Sequence, residues 1–329
     1  MIKQNNTSRF IYLDNGSGIL ICFMVLFYHL PGFCELDSTS IYYIVRNIFD
    51  FFMAWFFFKS GMCYKNRSIK EELSKCWSRL LFPFIVINLF CFIIYTVISD
   101  KVSLLEHLKV SIYKGSETMC SPLWFCLSLF ITRVIYQLLK NRLRVNRGWI
   151  LSLSIIIAFL LYLFKYNNYV FLPCALSRIP PWVGGTLLGL FFYGLGDLMR
   201  DKQYNSSLFF IATPVYLLHL VFPYYLDFYT NFSDNYFLSV FFYIAGILMF
   251  NNILKRWLNK SIIPLTHIGI NSMIYYVTHW TFFYILFVIH HFDTTGWPLY
   301  IAAFILTILY LIGMDFLFRK TKLRVLIGG

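Results

Sequence analysis

The sequence predicts an all-α polytopic membrane bundle of about ten transmembrane helices, and three observations predict it. Of its 329 residues, 59% are hydrophobic and only 13% are charged, whereas a soluble domain carries about 25% charged residues. Ten apolar runs approach the length that crosses a bilayer as a helix, about 17 to 25 residues. Lys and Arg gather in alternate loops. No polar stretch is long enough for a soluble domain, so residues 1–329 read as a single membrane domain. The first ten residues are polar and the run behind them lacks a small-residue cleavage site, so no cleavable signal peptide is expected.

The ten runs are 11–31, 41–64, 79–98, 121–139, 149–165, 181–199, 207–228, 233–254, 271–292 and 297–318. The first, from Tyr12 to Pro31, carries Asp14 at its start and His29 at its far end. The second is interrupted by Arg46, Asp50 and Lys59. Arg46 and Asp50 are four residues apart, share a helix face and are expected to pair. Phe171–Trp182 holds Pro173, Pro180 and Pro181 and cannot be a regular helix. It reads as an external re-entrant or capping loop before Gly184 and Gly185 open the sixth helix, and its Arg178 and Trp182 suit a sugar. The short polar link Asn231–Asn235 separates the seventh run from the eighth. No internal repeat is visible.

Orientation follows from loop charge. Twenty Lys and Arg residues fall on the side of the N-terminus, five on the other and three inside helices. Both termini are therefore expected in the cytoplasm, and this topology accounts for the net charge of +13 without a nucleic-acid partner. His29 lies about 18 residues beyond Ile11, roughly 27 Å along the helix axis, on the outer side. Lys59 falls near the cytoplasmic side, His279 nearer mid-membrane, and Asp315 near the inner end of the last helix. An ionisable group within hydrocarbon costs several kcal/mol unless it is paired or used, which makes each a candidate functional residue. The plain alternative for His29 is a ring wetted at the headgroup boundary.

Eight cysteines are scattered without a CxxC or CxxxC pair, so no metal framework is expected. Cys34 and Cys120 fall on the same predicted face with nothing further to pair them. His107, His219 and His267 show no zinc-ligand spacing, and the adjacent His290 and His291 mark the outer interface.

Five stretches in order resemble the integral-membrane acyltransferase 3 family. They are Tyr12-Leu13-Asp14 leading to His29; Phe51-Phe52-Met53 through Phe56-Phe57-Phe58-Lys59-Ser60-Gly61; Arg79-Leu80-Leu81-Phe82-Pro83; Leu123-Trp124-Phe125 with Leu129; and Ile268-Gly269-Ile270-Asn271-Ser272 with Tyr276 and His279. Each is weak alone, and together they span about 270 residues. The resemblance implies O-acylation, commonly acetylation, of a cell-envelope polysaccharide or glycolipid, with cytoplasmic acyl-CoA as donor substrate and no metal. A multi-pass protein in contact with membrane lipid is expected, and the absence of a eukaryotic targeting segment fits a bacterial inner membrane. The family's first helix carries a basic residue, then ten residues, then His. Here Ser17 stands where the basic residue is expected, with eleven residues between it and His29.

Lys59 is the candidate replacement cation, since the family position is more usually apolar; Arg9 is its competitor, and snorkelling to the interface is the structural alternative. A buried ammonium there suits the CoA phosphates. His29 is the candidate general base, because its ordinary pKa lies near the working pH and a sugar hydroxyl is a poor nucleophile without one. His279 is assigned to oxyanion stabilisation or to a donor channel. Ser60, Arg79 and Asn271 complete the candidate donor-binding set, with helix packing for Ser60 and topology for Arg79 as the structural readings. Two rival functions remain at this stage: a transporter or flippase of a lipid-linked sugar, and a non-catalytic membrane partner of a glycan-assembly complex.

Overall fold

The computed structural model describes residues 10–36, 38–98, 103–116, 118–166, 179–200, 206–289 and 296–327. Lys3, Arg9, Pro173, Arg178, His290 and His291 lie outside them. The described chain is helical almost throughout: α1 (Ile11–Phe33), α2 (Ser40–Ile48), α3 (Phe52–Met62), α4 (Ile69–Val97), α5 (Leu104–Lys114), α6 (Cys120–Arg142), α7 (Arg147–Tyr166), α8 (Pro181–Arg200), α9 (Ser206–Val221), α10 (Tyr236–Trp257), α11 (Ile263–Ile270), α12 (Ser272–Phe283) and α13 (Trp297–Lys320). A two-stranded hairpin, β1 (Leu226–Asp227) with β2 (Phe232–Ser233), joins α9 to α10.

Among the described residues, eight helical spans are long and apolar enough to cross a membrane. They correspond to eight of the ten expected runs. The seventh run stops earlier than expected: α9 ends at Val221 and the chain turns into the hairpin, which replaces the short Asn231–Asn235 link. The ninth is divided into α11, α12 and a π-helical continuation, Tyr284–Ile289. The second span is interrupted at Phe49–Phe51, between α2 and α3.

Side-chain caps start several helices. Thr39 accepts from the Tyr42 amide, Ser68 from Glu71, Ser103 from Glu106 and Asn235 from Leu238, each at 3.3 Å, filling donors that a helix N-terminus leaves open. Close crossings use glycine. Gly61 on α3 lies against the Tyr193 carbonyl, and Gly196 on α8 against the Phe58 carbonyl. Without a hydrophobic drive between helices in lipid, such backbone approach and polar contacts hold the bundle. Buried Asn15 supplies a polar clamp: its amide donates to the carbonyls of Leu258 and Lys260, both at 2.7 Å, and its oxygen accepts from Thr266 at 2.5 Å. α11 thereby packs along α1, with Leu265 against Gly18 and Gly269 against Asp14.

Candidate active site

His29 closes a π-helical stretch, Phe23–His29, within α1, directly before Leu30 and Pro31. Proline has no N–H and its ring collides with the carbonyl four residues back, so the turn before it opens. Two tyrosines from other helices satisfy carbonyls of this turn: Tyr300 donates to Leu26 at 3.0 Å and Tyr42 to Tyr28 at 2.9 Å. Such borrowed donors are what lipid demands of any irregular backbone. The wider turn presents a half-buried His29 to the bundle.

His279 meets it there. The two imidazoles stack with centroids 5.4 Å apart and planes 24° apart, and Trp280 stands edge-on to His29 at 4.9 Å. The expected difference in depth between the two histidines disappears, because α11 lies against Asp14 and Gly18 and α12 begins already alongside α1. His279 is fully buried, and its Nδ1–H donates to the Tyr275 carbonyl at 3.1 Å. In the neutral ring that bond leaves Nε2 as the lone-pair nitrogen. Nε2 is buried without a hydrogen-bond partner. His279 in this tautomer accepts a proton at Nε2 and donates there only after protonation, which bears directly on the oxyanion role expected of it.

A cavity of about 170 Å³ opens on His29 and is lined also by Asp50, Trp124, Tyr225, Asp227 and Trp280. The hairpin forms one wall. Asp227 folds the hairpin tip, accepting from the Tyr229 amide at 3.0 Å and the Thr230 hydroxyl at 2.7 Å. Gly184 and Gly185, at the start of α8, let this segment settle close: Asn231 lies against the first, Phe228 and Trp124 against the second. His29 also borders a neighbouring opening with Arg46 and Tyr42.

Arg46 and Asp50 do not form the expected ion pair. The helix breaks between them, so four-residue spacing no longer places them on one face. The Arg46 guanidinium lies over the rings of Tyr225 and Tyr28, 4.5 and 5.3 Å from their centroids. Asp50 turns to α9, accepting from His219 Nε2 at 2.8 Å and from the Tyr216 hydroxyl at 3.2 Å.

At the opposite end of α1, Lys59 reaches from α3 to donate to the Ser17 hydroxyl, and its ammonium lies 3.6 Å from Asp14. Ser17 is fully buried and its own hydroxyl donates a hydrogen bond to the Leu13 carbonyl at 3.1 Å. A positive charge therefore stands beside Ser17, carried by a neighbouring helix. Ser60 is half-buried beside Lys59. Arg79 is exposed on its helix and makes no ion pair among the described residues. Asn271 sits at the joint of α11 and α12, its amide bonded to the His267 carbonyl at 3.0 Å. The structure thus unites His29 with His279, and Lys59 with Ser17 and Asp14. Ser17 and His29 are twelve residues apart on α1, roughly 18 Å along the helix axis.

Two ion-pair networks went unread in the sequence. Glu72, 4% exposed, takes Arg67 at 2.9 Å and Arg133 at 2.5 Å. Asp197, fully buried, takes Lys140 at 2.5 Å, Arg147 at 3.2 Å and Arg200 at 3.4 Å, and accepts from Tyr136 at 2.7 Å. Arg67 and Arg200 are local partners, but Arg133 on Glu72 and Lys140 and Arg147 on Asp197 come from distant parts of the chain, so no local spacing reveals the networks. Asp315 likewise pairs with His267 and Arg319, each at 3.0 Å. Cys34 and Cys120 are both free thiols.

Neither the curated proteins nor the solved structures yield a match to this sequence. A family model described as an acyltransferase domain does match it, over residues 10–313. That range takes in both histidines of the stack, Lys59 with its α1 partners, and all but the end of α13, and the chain belongs to the acyltransferase 3 family.

Proposed function

We propose that this membrane acyltransferase moves an acyl group, most simply acetyl, from acyl-CoA to a hydroxyl of a cell-envelope polysaccharide or glycolipid. The observation that carries the reading is the His29–His279 stack at the edge of an aromatic cavity. A hydroxyl in that cavity gives its proton to His29 while its oxygen attacks the thioester carbonyl. The tetrahedral intermediate then breaks its C–S bond, and the departing CoA sulfur takes the proton back from His29. The lone pair of His279 Nε2 faces a buried setting beside His29 and favours the positive charge that His29 acquires during attack. The aromatic and carboxylate lining suits a sugar.

The donor enters from the Lys59 end, which the loop charges assign to the cytoplasm. Lys59 meets the anionic part of CoA as a point charge. Ser60, Arg79 and Asn271 remain candidates for lesser contacts with the donor. The bilayer is that of a bacterial inner membrane, with the acceptor on its outer side.

The test is direct. Purified protein incubated with acetyl-labelled acetyl-CoA and envelope glycan should yield alkali-labile ester on the glycan, and His29→Ala should yield none while still inserting. Label that stays on CoA with every glycan fraction, or an active His29→Ala protein, overturns the proposal.

A further inference from the structure

Asp50 has no part in the transfer chemistry above, yet it forms a wall of the cavity that holds His29. Its side chain is 3% exposed. Burial of a carboxylate is tolerated when donors are built around it, and two are built here from α9. His219 Nε2 stands 2.8 Å from one oxygen and the Tyr216 hydroxyl 3.2 Å from the other. Both donors are themselves enclosed, His219 at 0% and Tyr216 at 1% exposure. His219 Nδ1 has no hydrogen-bond partner. An ionised carboxylate only accepts, so the ring is the tautomer that donates from Nε2 to Asp50. The single Tyr216 proton is shared between Asp50 and the carbonyls of Asn47 and Ile48, which lie 3.0–3.1 Å from the hydroxyl oxygen. The carboxyl group is therefore held from behind by one helix at the break between α2 and α3.

A carboxylate offers about four acceptor positions; His219 takes one, and Tyr216, with one proton for three acceptors, takes at most a second. The remaining capacity asks for a hydroxyl donor. The other walls fit one: Trp124, Tyr225 and Trp280 supply flat faces, and Asp227 supplies a second carboxylate. Among the described residues no Lys or Arg lines this cavity, though Arg46 lies over the rings of two of its walls, Tyr28 and Tyr225. Its volume, about 170 Å³, is small beside the roughly 300–1,000 Å³ of drug-sized sites, which suits a single ring.

We infer that Asp50 is the acceptor-positioning residue of this cavity, taking a hydrogen bond from a hydroxyl of a neutral sugar ring and excluding acidic sugars, with His219 and Tyr216 holding it in place. This assignment rests on the transferase reading only for the identity of the acceptor as a sugar. A uronic or sialic carboxylate would meet the two lining carboxylates, while the Arg46 guanidinium is engaged by the faces of Tyr225 and Tyr28, and like charges at short range in a confined site repel strongly.

The experiment is saturation-transfer NMR on the full chain in nanodiscs, with methyl α-glucopyranoside as neutral probe and methyl glucuronide as its charged counterpart. The wild-type protein is expected to saturate the glucoside and not the glucuronide. Asp50→Asn should weaken glucoside binding about tenfold or more, the loss expected when a hydrogen bond to a charged group is removed. It should also admit the glucuronide. His219→Gln should weaken glucoside binding less. Equal glucoside binding by wild type and Asp50→Asn overturns the inference, as does a wild-type preference for the glucuronide or no binding of either probe. If Asp50→Asn fails to fold, the wild-type preference between the two probes still decides. Acetyl transfer is scored separately: glucoside binding without transfer sinks the transferase reading and leaves the sugar site, and transfer to an acidic sugar does the reverse.

Discussion

The ammonium of Lys59, on α3, donates to the hydroxyl of Ser17, on α1, and stands 3.6 Å from the carboxylate of Asp14. Within the acyltransferase 3 pattern a basic side chain is expected at the Ser17 position itself. This chain holds the charge at the same place from a different helix. Lys59→Ala should raise the KM for acyl-CoA about tenfold and change kcat less, the mark of lost ground-state binding. Returning the charge to α1, with Ser17→Lys combined with Lys59→Leu, should recover most of that loss. An unchanged KM in the single variant removes Lys59 from donor binding.

Removal of the His29 ring should lower kcat by at least the 10²–10⁴ that general-base catalysis contributes. His279→Phe keeps the stack but removes the buried nitrogen, and should cost less than His29→Ala. Single-turnover transfer from acetyl-CoA measures both. Equal loss in the two variants would mean that the nitrogens act as a unit rather than as base and support.

Asp197→Ala should destabilise the bundle by about 3–5 kcal/mol, the cost of stripping one partner from a buried charge pair. The variant leaves Lys140, Arg147 and Arg200 facing one another where a fully buried carboxylate had joined them. Thermal unfolding in detergent reads the effect, and Asp197→Asn should recover part of it through Tyr136.

Gly196→Leu should prevent α3 and α8 from closing. A Cβ at Gly196 falls on the Phe58 carbonyl, and one at Gly61 falls on the Tyr193 carbonyl across the same crossing. These are backbone atoms and cannot turn aside. Loss of monodisperse protein on size-exclusion chromatography is the expected outcome, for Gly61→Val as well.

The helical class and the bulk of the spans were legible because hydrophobic length is a one-dimensional signal. The ordered motifs, likewise, carried the family. Three-dimensional pairings were less accessible. Arg46 and Asp50 look paired because four-residue spacing assumes an unbroken helix, and nothing in the aromatic sequence Phe49-Asp50-Phe51-Phe52 announces the break. The true partner of Asp50, His219, lies 169 residues away, and a lone histidine in an apolar run has no spacing to betray it. The meeting of His29 and His279 was hidden for a related reason: counting residues from the start of two separate apolar runs says nothing of how the two helices are aligned. Lys59 was easier to single out, because a cation among Phe56, Phe57 and Phe58 has few neutral explanations.

The π-helical turn that ends at His29 makes the aim of that ring a matter of residue count. A residue lost inside the turn itself could be absorbed by its relaxing to a regular helix, but one lost from the α-helical stretch Ile11–Cys22 has no such slack and would swing everything beyond it by about 100° relative to the start of α1. The imidazole would survive such a deletion with its chemistry unaltered, but directed at lipid or at a neighbouring helix instead of at His279. Drift in the length of the opening helix would therefore silence a protein of this design even while every polar side chain in it was retained.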